Sequence, residues 1–497
     1  MSCRRFIRLS VYPSVRLLLV PCVFSSIAAS QQPRSEQRCL IELERPLLRE
    51  GTRVEVAPGF VNFFGGGDAR FRCRNMQIRM RSDSVAIYQG DIAQFIGQVR
   101  YQDSTVIMTS DFGTYTRNGE KWEARGNVVL QNIKDGTVLR GPMLDYWRQI
   151  PGFRDSAEMY AAERPTVTLP VKDTAETDPE PYVVVGDWIR TMGSNRLIAR
   201  GRVTIDRSDF RGRADSLHLD TGPANLGSLV GSASLKRVAE DSFDLNGKRI
   251  DLKLDQKELT YVTALDSAKL RSADMSLDGD TIGLDVNNRK VEQTLAWGSS
   301  IRPLALSSGY EVRGDSMAFD TPEQALKEIR AFGSAWVGAV PDSGTSDRDW
   351  IAGDTVRAEF VKRDSAGSDQ TSVKLIEARG TASALYRLRQ AGQAQASITY
   401  NKGDLIRIRM RLTGDSTQVD SVEVIGNVEG IHLQPAPPRR DTARTDTTAS
   451  SDGRMVRWAD DTSRRPAPTV PGVPRGRHPT YPTHPSSPTW QPRKGRA

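Results

Sequence analysis

The chain has 497 residues, 26% of them charged and 38% hydrophobic, with 41 glycines, 27 prolines, four cysteines and four histidines. Its net charge of +8 does not describe its body, because residues 435–497 contribute +7 and the first 30 residues +4, which leaves −3 on everything between. The basic total therefore implies no basic groove, nucleic acid is not expected as a partner, and so few histidines leave little material for a serine or thiol triad or a zinc site.

Residues 1–30 read as a secretory signal peptide. Arg4, Arg5 and Arg8 give a positive start, Val15 to Ile27 is mostly apolar, and Ala28-Ala29-Ser30 offers small residues for cleavage. Pro21 interrupts the apolar run, which is short for a membrane span. Lipidation at Cys22 is a minor alternative, disfavoured by the adjacent proline. Export would remove Cys3 and Cys22 and leave Cys39 and Cys73, which can pair in an oxidising compartment as one structural disulfide tying the N-terminal segment to the first strands. Gly65-Gly66-Gly67 lacks the Lys-Ser/Thr of a phosphate loop and reads as a turn before a strand from Ala69 to Met80.

From about Arg81 to Leu433 two strand types alternate. The first follows a glycine with apolar residues at offsets of three, five and seven: Ile250, Leu252 and Leu254 after Gly247, and Ile282, Leu284 and Val286 after Gly279. Val356, Ala358 and Phe360 after Gly353, and Ile406, Ile408 and Met410 after Gly403, repeat it. Partial copies follow Gly141, Gly212 and Gly314. The second type has offsets of two and four, as in Val128 and Leu130 after Gly126 and Val203 and Ile205 after Gly201. A period of two puts each apolar set on one strand face. Intervals of 29 residues from Gly97 to Gly126 and 30 from Gly201 to Gly231 imply a stacked β architecture with two strands per unit. The recurring glycine marks a bend, a bulge or close backbone approach at a corner.

The acidic stretch Pro170 to Pro181 divides the repeats into residues 31–169 and 182–433, either as a loop between rungs or as a join between two stacks. Thr321-Pro322-Glu323 carries helix-start chemistry but runs into the strand spacing at Gly333, so at most one helical turn is expected there. Residues 434–497 hold twelve prolines and no apolar periodicity and are expected to be disordered, with contact to a membrane surface as one use of their basic charge.

Carboxylates are plentiful, but Asp187, Asp280, Asp315, Asp354 and Asp404 recur at equivalent positions, as turn or edge residues do, and no single pair stands apart for acid–base work. No enzyme activity, cofactor or metal is expected. What remains is an apolar stripe made by Ile250, Leu252, Leu254, Ile282, Leu284, Val286, Val356, Phe360, Ile406 and Ile408, opposed by Val128, Leu130, Val203 and Ile205. In a closed sandwich that stripe is core, and in an open one it is a groove for acyl chains.

Glu123-Ala124-Arg125-Gly126-Asn127-Val128-Val129-Leu130, with Leu139-Arg140-Gly141-Pro142-Met143-Leu144-Asp145-Tyr146, resembles the repeat unit of the organic-solvent-tolerance (OstA-like) domain. Ile198-Ala199-Arg200-Gly201-Arg202-Val203 and Val424-Ile425-Gly426-Asn427-Val428 match the same unit. That domain occurs in periplasmic lipopolysaccharide-transport proteins of the LptA and LptC type and in the N-terminal part of LptD. The resemblance covers most of residues 80–433 and implies an all-β fold of elongated, stacked β-jellyroll repeats. It also implies a periplasmic or outer-membrane-associated setting, end-to-end contact with other jellyrolls, and lipopolysaccharide or a related glycolipid as ligand, held along the apolar residues named above. The chain departs from the family in its length and in a tail where LptD carries a membrane barrel, and a long N-terminal anchor helix of the LptC kind is not evident in its sequence. The alternative is a structural or adhesive envelope β-solenoid with a closed core and no ligand.

Overall fold

The computed structural model describes residues 39–435 except 48, 75, 171–179, 239–241, 256–257, 273–274, 308, 323–324, 341–347, 363–370, 389–395 and 414–415. Residues 1–30, expected to be a signal peptide, and all but the first two residues of the tail therefore lie outside the described residues. What is described is almost entirely β, in 28 strands whose pairings are all antiparallel, as the alternating sequence predicts. Thr321 and Pro322 lie outside any strand, and Glu323 and Gln324 fall outside the described residues.

Each long strand is creased near its middle. In Glu258–Ser272, Val262 and Ala264 are buried before the crease and Ala268 and Leu270 after it. At the crease Asp266 and Ser267, both at positive φ, face the single residue Asp280 on Met275–Asn287. Across this two-against-one bulge the bulged strand keeps its parity while its partner changes it, from Leu277 to Ile282 and Leu284, so both halves of both strands point their apolar residues into the same interior. The same register break recurs at Gly97-Gln98, Gly126-Asn127, Gly201-Arg202, Gly231-Ser232, Gly333-Ser334 and Gly380-Thr381. The recurring glycine of the second strand type is thus a crease residue, which is why it needs freedom at positive φ.

Hairpin turns alternate between the two free margins, so the creased meander forms two walls joined along the bulge line. One wall carries halves such as Arg196–Arg200 and Ser216–Asp220, and the other Val203–Arg207 and Phe210–Ala214. Their inward side chains belong to one hydrophobic cluster running from Cys39 to Ile408. Twice the crease is replaced by a split. Val138–Trp147 pairs with both Glu158–Ala162 and Thr166–Leu169, and the halves rejoin on Arg196–Arg207. Met275–Asn287 splits likewise and rejoins on Glu328–Ala339. Leu169 pairs with Tyr182, so the acidic stretch between them connects neighbouring strands of one sheet.

Two sequence expectations are corrected. Gly65-Gly66-Gly67 is no turn, because Phe60–Cys73 runs through it as one strand and creases at Gly67-Asp68; the turn comes after Cys73. Glycines adopt extended backbone as readily as turns, and here Phe63 packs over Gly65 in place of a side chain. In Phe210–Asp220 the crease falls at Ala214-Asp215 and not at Gly212, since the register breaks between Arg213 and Ser216. Cys39 and Cys73 form the expected disulfide between the leading segment and the third strand.

Candidate functional site

Of the fourteen apolar positions singled out in the sequence, Val128, Leu130, Val203, Ile205, Ile250, Leu252, Ile282, Leu284, Val356, Ile406 and Ile408 are buried, Val286 and Phe360 are half-buried against the same core, and Leu254 is half-buried. The two sets do oppose each other. Val128, Leu130, Val203 and Ile205 follow the crease on one wall, whereas Ile250, Leu252 and Leu254 sit on the facing wall.

The interior between the walls is not uniform. Near the N-terminal end it is filled by aromatic rings: Phe71 meets Phe95 at 5.8 Å between centroids, Phe95 meets Trp122 at 5.3 Å, and Tyr101 lies 4.8 Å from Trp122 and 5.9 Å from Tyr146. Beneath them the buried Asp103 accepts hydrogen bonds from Tyr101 Oη (3.1 Å), Tyr146 Oη (2.7 Å) and the backbone N–H groups of Thr105 and Val106. Glu120, also buried, accepts from the Cys39 N–H, Tyr115 Oη and Arg148 Nε, which fastens the disulfide-linked segment to the stack. Every acceptor here has a donor, as burial of carboxylates requires, and the block is structural. Burial, reinforced by the charge of Asp103 or Glu120, pushes the Tyr101, Tyr146 and Tyr115 hydroxyls well above the ordinary phenol range.

Beyond Tyr146 the rings give way to aliphatic side chains that leave an apolar cavity of about 100 Å³ between the walls. Leu130, Leu139 and Ile205 line it from one wall, and Leu217, Leu219 and Leu252 from the other. Four expected trough residues, Leu130, Ile205, Leu252 and Leu254, meet in this one space; the stripe through Ile282, Ile406 and Ile408 is packed core. An apolar cavity of comparable size, about 150 Å³, stays dry and takes apolar guests. Polar groups of Asn132, Asp135, Thr137, Asn195 and Thr221, near strand ends, rim the space at the free margins of the walls and away from the crease.

At that margin stands a charged group that no sequence motif marks. Arg207, the last residue of Arg196–Arg207, bonds Asp209 through Nε (2.5 Å) and Nη2 (2.9 Å), and its guanidinium stacks 4.5 Å from the centre of the Tyr182 ring. Its Nη1 reaches across to Glu258 on the opposite wall at 3.8 Å, and Arg289 stands 3.7 Å from the same carboxylate. Burial raises the Tyr182 hydroxyl to about 12. Burial also works to raise the Asp209 carboxyl but is outweighed by the Arg207 hydrogen bond and charge, which hold it below its ordinary value. Tyr182, Phe210, Leu254 and Leu259, the neighbours of these charges, all line the cavity.

The crease carries the recurring aspartates. Asp280 accepts from the Ser300 and Ile301 N–H groups in the second split, and at the bulges Asp111 accepts from Asn127 and Asp187 from Arg202. Among the described residues no three His, Cys, Asp or Glu side chains gather as a metal site. No protein-family model matches the chain, and no curated protein is significantly similar to it.

Proposed function

We propose that the protein binds the acyl chains of a glycolipid, lipopolysaccharide or a related one, between its walls, and serves as a non-enzymatic carrier in an exported, envelope-assembling system. The observation that carries this reading is the apolar cavity between the two walls of a creased sheet, rimmed by polar groups toward their free margins. Each methylene kept from water is worth about 0.8 kcal/mol, so even a few carbons held there offset much of the cost of carrying a chain through an aqueous compartment. The resemblance of the repeat unit to the OstA-like domain supports the same ligand class, and the leader at residues 1–30 supports export.

The ends of the array fit a part in a longer assembly. Among the described residues, Arg49–Ala57 pairs only with its hairpin partner and exposes Val54 and Val56; Glu429–Leu433 pairs only with Ser397–Thr413 and exposes Ile431 and Leu433. Unpaired apolar edges of this kind invite strand addition by another β protein. The second reading, a closed structural solenoid, is favoured by the aromatic block at Phe95 and Trp122.

Photocrosslinking in envelope-containing cells separates the two, with the probe at Leu252 on the cavity, at Ile282 in packed core, and at the outward Lys253. Glycolipid adducts from Leu252 and none from Lys253 are expected. A folded, exported protein with no adducts at any position would leave the structural solenoid.

A further inference from the structure

The charges at the margin of the cavity are arranged unequally. The Arg207 side chain is only 7% exposed, whereas that of Glu258 is 28% exposed. Arg207 commits Nε and Nη2 to Asp209, and its plane is set by the Tyr182 ring. Its Nη1 is buried with no hydrogen-bond partner among the described residues, and the facing Glu258 Oε1 is in the same condition. At 3.8 Å the two attract but do not bond. A buried guanidinium donor left unmatched is costly, and here it points into the gap between the walls, beside an apolar space.

Resting on the acyl-binding reading above, we infer that Arg207 Nη1 is the contact for an anionic phosphate headgroup of an amphiphile whose chain occupies the cavity. Glu258 stands in for that anion when the cavity is empty. The phosphate takes the place of the carboxylate, which is exposed enough to turn toward solvent, while Arg207 stays fixed by Asp209 and Tyr182. A guanidinium edge suits phosphate oxygens, with charge-assisted bonds stronger than neutral ones. Because Arg207 and Glu258 lie on opposite walls, the exchange also unfastens the margin through which the chain enters. Chain and headgroup are thus read by neighbouring residues, Phe210 and Leu259 for one and Arg207 for the other.

The test uses the mature full chain and displacement of a fluorescent apolar probe by dodecyl phosphate, by dodecyl maltoside and by inorganic phosphate, below micelle-forming concentrations. Dodecyl phosphate is expected to bind about tenfold more tightly than the maltoside, a preference of the size of one charged hydrogen bond. Arg207→Gln should remove that preference, bringing dodecyl phosphate to the affinity of the maltoside, and Glu258→Gln should tighten dodecyl phosphate binding by severalfold. Equal affinity for the two amphiphiles in the unmodified protein, or equal weakening of both by Arg207→Gln, overturns the headgroup assignment while the acyl-binding reading survives. Calorimetric binding of inorganic phosphate as tight as that of dodecyl phosphate would make this a free-phosphate site and overturn it too. If neither amphiphile binds, the acyl-binding reading itself fails. Should Arg207→Gln not fold, the Glu258→Gln arm decides: no gain for dodecyl phosphate sinks the exchange.

Discussion

Asp111 Oδ2 lies 2.5 Å from the place a β-carbon on Gly126 would occupy. The two residues sit on adjacent strands at the crease, and the coupling is not local to them. The same aspartate-over-glycine contact occurs eight times in all along the sheet, from Asp83 and Gly97 to Asp404 and Gly426. Where the glycine is replaced, the aspartate is gone as well: Asp266 faces Lys248, and Glu163 with Arg164 faces Pro142. Each carboxylate therefore occupies the volume that its partner's missing side chain leaves.

Gly126→Ala should accordingly cost about 2 kcal/mol or more, since it combines a φ of +75° with a clash against a committed carboxylate. Asp111→Ala should cost less, and the double variant should regain part of the loss because the clash disappears. Denaturant unfolding of the three variants measures this; strict additivity would mean that the pair is not coupled.

The strands were legible because one face of each is apolar at a period of two, and the crease was legible as a recurrent glycine. The aspartate partner reads in sequence as a turn or edge residue, since its glycine lies 14 to 26 residues further on, as for Asp83 with Gly97 and Asp354 with Gly380. Which part of the stripe is filled and which part open depends on side-chain volume across two walls: Trp122 and Phe95 fill what Leu130 and Leu217 do not. Arg207 in the sequence is one more strand-end charge; only the fold sets Glu258 opposite it.

Reduction of the Cys39–Cys73 bond releases a loop closed over a sequence separation of 34 and should lower stability by about 3–4 kcal/mol on chain-entropy grounds. Hydrogen exchange should place the loss at the N-terminal end, where Glu120 accepts from the Cys39 N–H. Uniform loosening through to Ile406 would contradict an end-localised tether.

Tyr101, Tyr115 and Tyr146 have hydroxyls raised above their ordinary value, burial being the chief cause. Their folded forms hold protons that the unfolded chain gives up near pH 10, so the stability they contribute is complete below that value and is lost as the pH rises above it. Alkaline absorbance titration should show these three tyrosines ionising only together with unfolding. A smooth titration of all tyrosines in a still-folded protein would contradict the closed hydrogen-bond block around Asp103 and Glu120.

The cavity and the packed stripe make opposite predictions for side-chain volume. Ile282 is fully buried with no space beside it that the cavity shares, so Ile282→Ala should cost about 3 kcal/mol and leave acyl binding unchanged. Leu219 is half-buried and faces the cavity, so Leu219→Trp has room to enter it. Overpacking a filled core costs about 1–3 kcal/mol, whereas filling an empty one removes unmatched apolar surface, so Leu219→Trp should keep the melting temperature or raise it. The same variant should weaken dodecyl maltoside by about tenfold or more, because the ring occupies the space of several methylenes. Stability kept and chain binding lost, in one variant, locates the ligand between the walls; a destabilised Leu219→Trp that still binds the chain would place the ligand elsewhere.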